Sequence, residues 1–289
     1  MLIPQIDPNS INTLVYDTYK RPTGVFLINK PRGITSHDVV DVARRALHTK
    51  RVGHAGALDP FAEGLLIILV GKYTQYTEAL IAQDKSYLAN VILGIQTTTQ
   101  DPEGDIILQS QVDLAKLPSS AAMNVALLKQ FSPSYEQSVP LFSSVKLNGE
   151  KLRVLARFAQ TIEYLANDEL RLTFAKVFKY NGTSSLEHVI KLPKKHVKIN
   201  KLELLSTAAV TKLEVMGAEV VGQFSSLKFA VHCSKGTYIR QLAQDIGDSL
   251  DYPAFLYELT RDSIGVFGLE QALSLEALEA LGSKYALSQ

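Results

Sequence analysis

The amino-acid sequence predicts an α+β fold, a mixed and largely antiparallel sheet with flanking helices. Three observations predict it. Short apolar or alternating segments of strand character follow one another without regular helical crossovers. At 289 residues, 46% of them hydrophobic, the chain can bury about three-quarters of its unfolded surface without a disulfide or metal to hold it. No internal repeat, low-complexity segment or long linker divides it into domains of equal size.

Residues 1–22 have no clear period and read as an N-terminal extension. Residues 24–29 form a short apolar strand that ends in the turn Lys30-Pro31-Arg32-Gly33. Thr35 or Ser36 then caps a helix, with Val39, Val40, Ala43 and Leu47 at helical spacing. Arg44, Arg45, Lys50 and Arg51 gather toward its end, where cations suit the helix dipole and could equally meet phosphates. Residues 53–64 follow, with Gly53, Gly56, Gly64, Pro60 and Asp59 immediately before the buried apolar run of residues 65–70. This stretch alone suits an ordinary tight turn as well as a rigid loop that carries Asp59 at the mouth of a sheet.

Residues 73–82 read as a short helix, and residues 85–94 as a strand with Tyr87, Ala89, Val91 and Leu93 on one face. Residues 97–105 are a polar turn and residues 121–131 a helix. Residues 140–149 are a second strand-and-turn segment, followed by a helix from residue 150 to about residue 157. Residues 170–180 alternate weakly as a strand. Lys191, Lys194, Lys195, Lys198 and Lys201 make a basic stretch that overlaps a strand at residues 197–205. The strand at residues 226–233 runs through Ser234-Lys235-Gly236-Thr237 into a helix over residues 238–250, which puts Arg240 in its first turn. A strand at residues 254–260 and a helix at residues 275–281 complete the chain.

Net charge is +1, but its distribution is uneven. Residues 20–58 carry eight basic side chains against Asp38 and Asp41, whereas residues 241–289 carry eight acidic ones against Arg261 and Lys284. Such asymmetry suits a face that meets a polyanion, and also a solvated basic helix face. Cys233 is the only cysteine, so an internal disulfide and multi-cysteine zinc sites are excluded. The first residues lack a basic leader and a signal-type apolar core, and the run at residues 65–70 is too short to span a bilayer. The expected location is the cytoplasm. Phosphate-loop, dinucleotide, zinc-protease and nucleophile-elbow motifs are absent, and the six histidines show no metal-ligand spacing. Asp59, Tyr87 and Arg240 remain, each at the edge of a loop or strand.

Five blocks bear a resemblance. Gly53-His54-Ala55-Gly56-Ala57-Leu58-Asp59-Pro60 resembles the catalytic loop of the bacterial tRNA pseudouridine-55 synthases, the TruB-type family. Lys30-Pro31-Arg32-Gly33-Ile34-Thr35-Ser36 is similar to that family's Lys-Pro-x-Gly motif. Asp84-Lys85-Ser86-Tyr87 with Asp101-Pro102-Glu103-Gly104 is similar to its tyrosine strand and following turn. Lys146-Leu147-Asn148-Gly149 with Ala156-Arg157 matches a fourth block, and Cys233-Ser234-Lys235-Gly236-Thr237-Tyr238-Ile239-Arg240 the arginine block.

The resemblance implies a pseudouridine synthase fold over residues 23–265 and isomerisation of a T-loop uridine of tRNA, at position 55, by a monomer that needs no cofactor or metal. It implies Asp59 as the essential carboxylate, either a nucleophile or the base that removes the C2′ proton. Arg240 would pair with Asp59, which favours a charged carboxylate. Tyr87 would stack on the extruded uracil, His54 would fill the space it vacates, and Lys30 and Pro31 would support the loop.

Some positions depart from the pattern. Pro140-Leu141-Phe142-Ser143-Ser144 stands where the family usually has Pro-Pro-x-Tyr-Ser-Ala, so the second proline and the tyrosine are both replaced, Val154 replaces a common tyrosine, and Tyr257-Glu258 stands where the family tends to have Arg-Arg. Residues 163–195 look like an insertion, and residues 207–224 are longer than expected. Residues 266–289 read as a short helical tail, too short for the small RNA-binding PUA domain that many relatives carry. These departures keep two other readings open: a tRNA-binding or folding protein of the same family, and a synthase acting on a different RNA uridine.

Overall fold

The computed structural model describes residue 6 and residues 10–165 and 168–286. Its main sheet runs in the order Val15–Tyr16, Pro22–Lys30, Glu63–Val70, Ala254–Ile264, Lys85–Leu93, Ala218–Cys233, Lys194–Val215 and Ser134–Ser138. Val52–His54 pairs beside Glu63–Val70, and Phe267–Gly268 beside Ala254–Ile264. The one parallel pairing among these strands joins Thr260 to Glu63 and Arg261 to Gly64. The sheet is thus mixed and largely antiparallel, the class that the sequence predicts.

Glu63–Val70 reads as a continuous apolar run because both its faces are covered. Leu66, Ile68 and Val70 meet Val39, Val40 and Ala43 of the helix Ser36–Ala46, while Leu65, Ile67 and Leu69 pack with Leu80 and Ile264. A larger apolar layer lies under the helices Ser120–Phe131 and Ile239–Ser249, where Leu127, Phe131, Leu242 and Ile246 cover Val91, Phe229 and Leu256. The helix Leu275–Ala286 buries Leu278 against Ser36–Ala46. A Cβ at Gly282 would stand 2.1 Å from the Ala46 carbonyl, so only glycine permits this crossing. No helix among the described residues is long and apolar enough to cross a membrane.

Several elements differ from the sequence reading. Thr35 is the N-cap, in a reciprocal capping box with Asp38, which leaves Ser36 buried and free for another task. Gly53 belongs to a short strand, so the glycine-rich loop proper begins at Ala55. The helix read over residues 73–82 is a 3-10 turn, Gly71–Tyr76, followed by Thr77–Ile81. Residues 140–149 form no long strand. Asn148 and Gly149, both at positive φ, turn the two-residue strands Lys146–Leu147 and Glu150–Lys151 back on each other, and the helix starts later, as Leu152–Phe158.

The middle of the chain forms a separate antiparallel sheet of Ala159–Tyr164, Glu169–Tyr180 and Thr183–Lys191. Its second turn is Asn181-Gly182, a strong hairpin pair in weakly alternating surroundings. Lys194–Val215 and Ala218–Cys233 extend well beyond the strands read at residues 197–205 and 226–233. Their outer parts are mostly exposed and small or polar, which hides the period. The far end regains a core where Leu213, Val215 and Phe224 meet Ile92, Ile95 and Phe255.

Asp245 ties Ile239–Ser249 to the edge strand Ser134–Ser138. It accepts hydrogen bonds from Tyr135 Oη (2.9 Å) and Gln241 Nε2 (2.8 Å). Burial pushes its carboxyl up to about 6, against the two hydrogen bonds that lower it. The folded state therefore holds a proton that the unfolded chain releases between about pH 4 and pH 6. The contribution is full below that window and is lost as pH rises through it, up to ~3 kcal/mol. Urea denaturation across pH 4–7 should show this slope, and Asp245→Asn should flatten it.

Candidate active site

After the Ala55 amide bonds the Ile67 carbonyl (2.9 Å), the glycine-rich segment leaves the sheet, and its carbonyls need other donors. Three buried side chains supply them. The Arg261 guanidinium, almost wholly buried, donates from Nη2 to the Gly56 carbonyl (3.1 Å), from Nη1 to that of Ala57 (3.2 Å) and from Nε to that of Leu65 (2.7 Å). Ser36 Oγ accepts from the Leu58 amide (2.8 Å) and donates to the Leu58 carbonyl (3.1 Å). Lys30 Nζ donates to the carbonyls of Pro31 (2.8 Å), Ile34 (2.9 Å) and Pro60 (3.3 Å), and the Gly33 amide also donates to Pro60. Gly64, at φ +107°, lets the segment rejoin the sheet where a Cβ would meet the Arg261 carbonyl at 2.4 Å. The backbone on either side of Asp59 is therefore pinned, while the Asp59 side chain keeps 42% of its surface.

Burial holds the Lys30 amine down to about 8, with the Asp59 charge acting in the other direction. Pro31 lies exposed, and its contribution is the carbonyl that Lys30 grips.

Arg240 is the second fixed point. It occupies the first turn of Ile239–Ser249 and is buried. Its Nε donates to Asp59 Oδ2 (2.9 Å), Nη1 to the Thr99 carbonyl (2.7 Å) and Nη2 to the Phe142 carbonyl (3.0 Å). Asp101 Oδ2 stands 3.6 Å from Nη1 as a second carboxylate. Burial raises the Asp101 carboxyl, opposed by Arg240 and by hydrogen bonds from Thr99 and the Glu103 amide. The turn that holds Thr99 and Asp101 is itself held from two directions. Tyr164 Oη of the small sheet donates to the Thr98 carbonyl (3.3 Å), and the Met216 amide at the tip of the long hairpin donates to the Pro102 carbonyl (2.9 Å). A cleft of about 470 Å³ is walled by Thr99, Phe142, Gln241 and Tyr164, and Asp59 is not among its walls.

Tyr87 sits in the core under the loop with Leu58, Phe61 and Ala62, at 8% exposure. Burial pushes its phenol up to about 12, opposed by the Arg261 guanidinium that it meets. His54 closes the strand Val52–His54, opposite Ile68. Burial, with Arg261 and His37, holds its imidazole below the usual range, and Nδ1 has no hydrogen-bond partner among the described residues. Asp59 and Arg240 are thus in direct contact, and Lys30 reaches the adjoining Pro60. Tyr87 meets the loop through Arg261 and through Leu58, Phe61 and Ala62, whereas Arg261 acts on His54 through its charge alone. Arg261 and Ser36 carry no site role in the sequence reading, although Ser36 closes one of the matching blocks. Among the described residues no group of His, Cys, Asp or Glu is arranged to hold a metal ion.

Ser36→Ala would strip the Leu58 amide and carbonyl of their shared partner in a buried place. An expected cost of about 1–3 kcal/mol should appear in urea denaturation. Unchanged stability would mean that the loop is held without this clamp.

Residues 44–188 match the model of the TruB family pseudouridylate synthase N-terminal domain. The tRNA pseudouridine synthase B of Geobacillus thermodenitrificans is 37% identical over 256 residues, covering 89% of this chain and 72% of that protein. That of Bacillus pumilus is 36% identical over 90% of this chain and 71% of its own length, and that of Staphylococcus saprophyticus 35% over 89% and 72%. Among solved structures, a chain of a Cbf5-Nop10-Gar1 complex shares the fold with a TM-score of 0.55 at 22% identity, over 94% of this chain and 61% of that one. A chain of an H/ACA RNP bound to a substrate RNA containing 2′-deoxyuridine gives 0.55 at 20%, over 96% and 63%. This chain spans less than two thirds of either solved chain. By these matches this chain belongs to the TruB family of pseudouridylate synthases, enzymes that isomerise uridine to pseudouridine.

Proposed function

We propose that this chain converts uridine 55, in the T-loop of tRNA, to pseudouridine, with Asp59 as the reacting carboxylate. The relatives named tRNA pseudouridine synthase B support the substrate class. The observation that carries the residue assignment is the Arg240–Asp59 contact of 2.9 Å on a pinned loop. Arg240 engages Oδ2, and no described group bonds Oδ1, so one carboxylate oxygen is left for a substrate.

The reaction breaks N1–C1′, turns the uracil and joins C5 to C1′. The C5 proton leaves and N1 ends protonated, so the sum of atoms and electrons is unchanged. A T-loop uridine must leave its stack before a protein group can reach C1′. Asp59 then attacks the nucleotide to form a covalent adduct, or removes the C2′ proton to give a glycal. Tyr87, protonated at neutral pH, supplies a platform and a hydroxyl for the uracil, and the neutral His54 ring takes the place of the extruded base. Lys30 and Pro31 keep Pro60, and with it Asp59, in place. In this reading residues 23–265 are the catalytic domain, with an insertion near residues 163–195. Residues 1–22 are an extension and residues 266–289 a short tail. The enzyme works as a monomer in the cytoplasm on the T-arm of tRNA, without a cofactor or metal.

Tritium release from C5-labelled uridine in a tRNA transcript tests the reading. Asp59→Asn should lower release by about 10³-fold or more while tRNA binding is largely kept. Retained activity would remove Asp59 from its role, and tight binding by the wild-type protein without release would favour a tRNA-binding function. Pseudouridine mapping of total RNA with and without the gene checks position 55 against other uridines. A primary isotope effect from deuterium at C2′ would assign the base role to Asp59.

A further inference from the structure

The end of the small sheet remote from the Glu169 and Lys191 pairing departs from regular strand geometry. Thr173 stands opposite Glu187 and Phe178 opposite Ser185, so residues 174–177 face a single residue of the partner strand. A bulge of this kind re-aims side chains. Ala175, Lys176 and Val177 are exposed, Val177 at 65%, and Lys179 follows. Phe158, the last residue of Leu152–Phe158, is 63% exposed. Its ring lies 6.1 Å from Phe178, which in turn stacks on Phe174 at 4.5 Å and 7°. Asn148 Nδ2 donates to Tyr180 Oη (3.1 Å), which brings the hairpin at Lys146–Leu147 to the same end.

The charges divide unevenly along this sheet. At the regular end, Arg171 pairs with Glu163 and Glu187, and Lys194 with Asp168 and Glu136. Beside the bulge, the exposed Lys176 and Lys179, with Arg157 next to Phe158 and Lys146 on the hairpin that Asn148 brings there, have no ion-pair partner among the described residues, and Glu150 is the acid on that hairpin. Residues 174–182 contain no acid at all.

We propose that this bulged edge, with Lys176, Lys179 and the open face of Phe158, is a second RNA contact that grips the sugar-phosphate backbone and stacks a base away from the reacting uridine. Unpaired cations around an exposed aromatic ring suit a polyanion whose bases have π-faces. An acidic protein would use the cations and leave the ring without a matching group. The surface rests on the reading of this chain as acting on tRNA. The segment that leads into it begins at Phe142, whose carbonyl holds Arg240, so an RNA spanning both places would touch the site and the edge together.

The test is binding of a full-length tRNA transcript, read by fluorescence anisotropy across a salt series, which needs no turnover. Lys176→Ala with Lys179→Ala should raise Kd about 3–30-fold at low salt and reduce the slope of log K against log salt by about 1–2. Phe158→Ala should raise Kd about 5-fold or more with little change in slope, and Phe158→Tyr should restore it. Thermal melting of each variant checks that the fold is kept. Wild-type Kd and slope in all of these variants would overturn the proposal, as would equal losses on a polyglutamate chain used in place of tRNA. Absence of pseudouridine formation by the wild-type protein would overturn the enzymatic reading alone, because the binding series is measured independently.

Discussion

Arg240 is a cation taken out of water, and much of the site follows from how it is accommodated. Burying a guanidinium costs several kcal/mol unless its donors are matched and its charge is opposed. Here Nε meets a carboxylate, both Nη atoms meet main-chain carbonyls, and a second carboxylate stands close by. The partners come from three segments: the Asp59 loop, the turn at Thr99 and Asp101, and the loop at Phe142. Their relative positions are set by one planar group with fixed donor directions. Lysine, a point charge without that fork, could not hold three segments in the same geometry.

The loop that presents Asp59 follows a related rule. A chain that has left a sheet keeps its carbonyls, and in a dry interior each must find a donor. Arg261, Ser36 and Lys30 provide those donors, so the loop is held without strands or helices of its own while the Asp59 side chain stays partly exposed. Two further modules, the small sheet and the long hairpin, touch the turn next to Arg240 through Tyr164 and Met216. The long hairpin can reach that far because Leu213, Val215 and Phe224 give its outer end an apolar anchor on Ile92 and Phe255.

Much of this was legible in the sequence. The strand at Tyr87, the helix after Thr35, the turn before Arg240 and the mixed sheet all rest on short-range signals: alternation, caps and glycine turns. Asp59 and Arg240 are legible through the two blocks that resemble the family's catalytic loop and arginine block. The small sheet is hard to read because exposed Val177, Leu186 and Val189 blur the polar face and its bulge breaks the alternation after Thr173. The outer halves of Lys194–Val215 and Ala218–Cys233 carry no strand signal for a similar reason, since exposed Thr207, Ala208 and Ala209 have no period.

By itself the sequence determined the α+β class and the order of the main elements, because those depend on neighbours along the chain, and the resemblance of its blocks singled out Asp59, Tyr87 and Arg240 as candidates. Only the tertiary structure decided what holds them. Arg261 lies about 200 residues from the carbonyls it grips. Ser36 and Lys30 reach Leu58 and Pro60 across a similar gap in kind, though a shorter one in sequence. A main-chain carbonyl is present at every residue, so a side chain that binds one leaves no partner type to read, and the pairing exists only where the fold brings the two together.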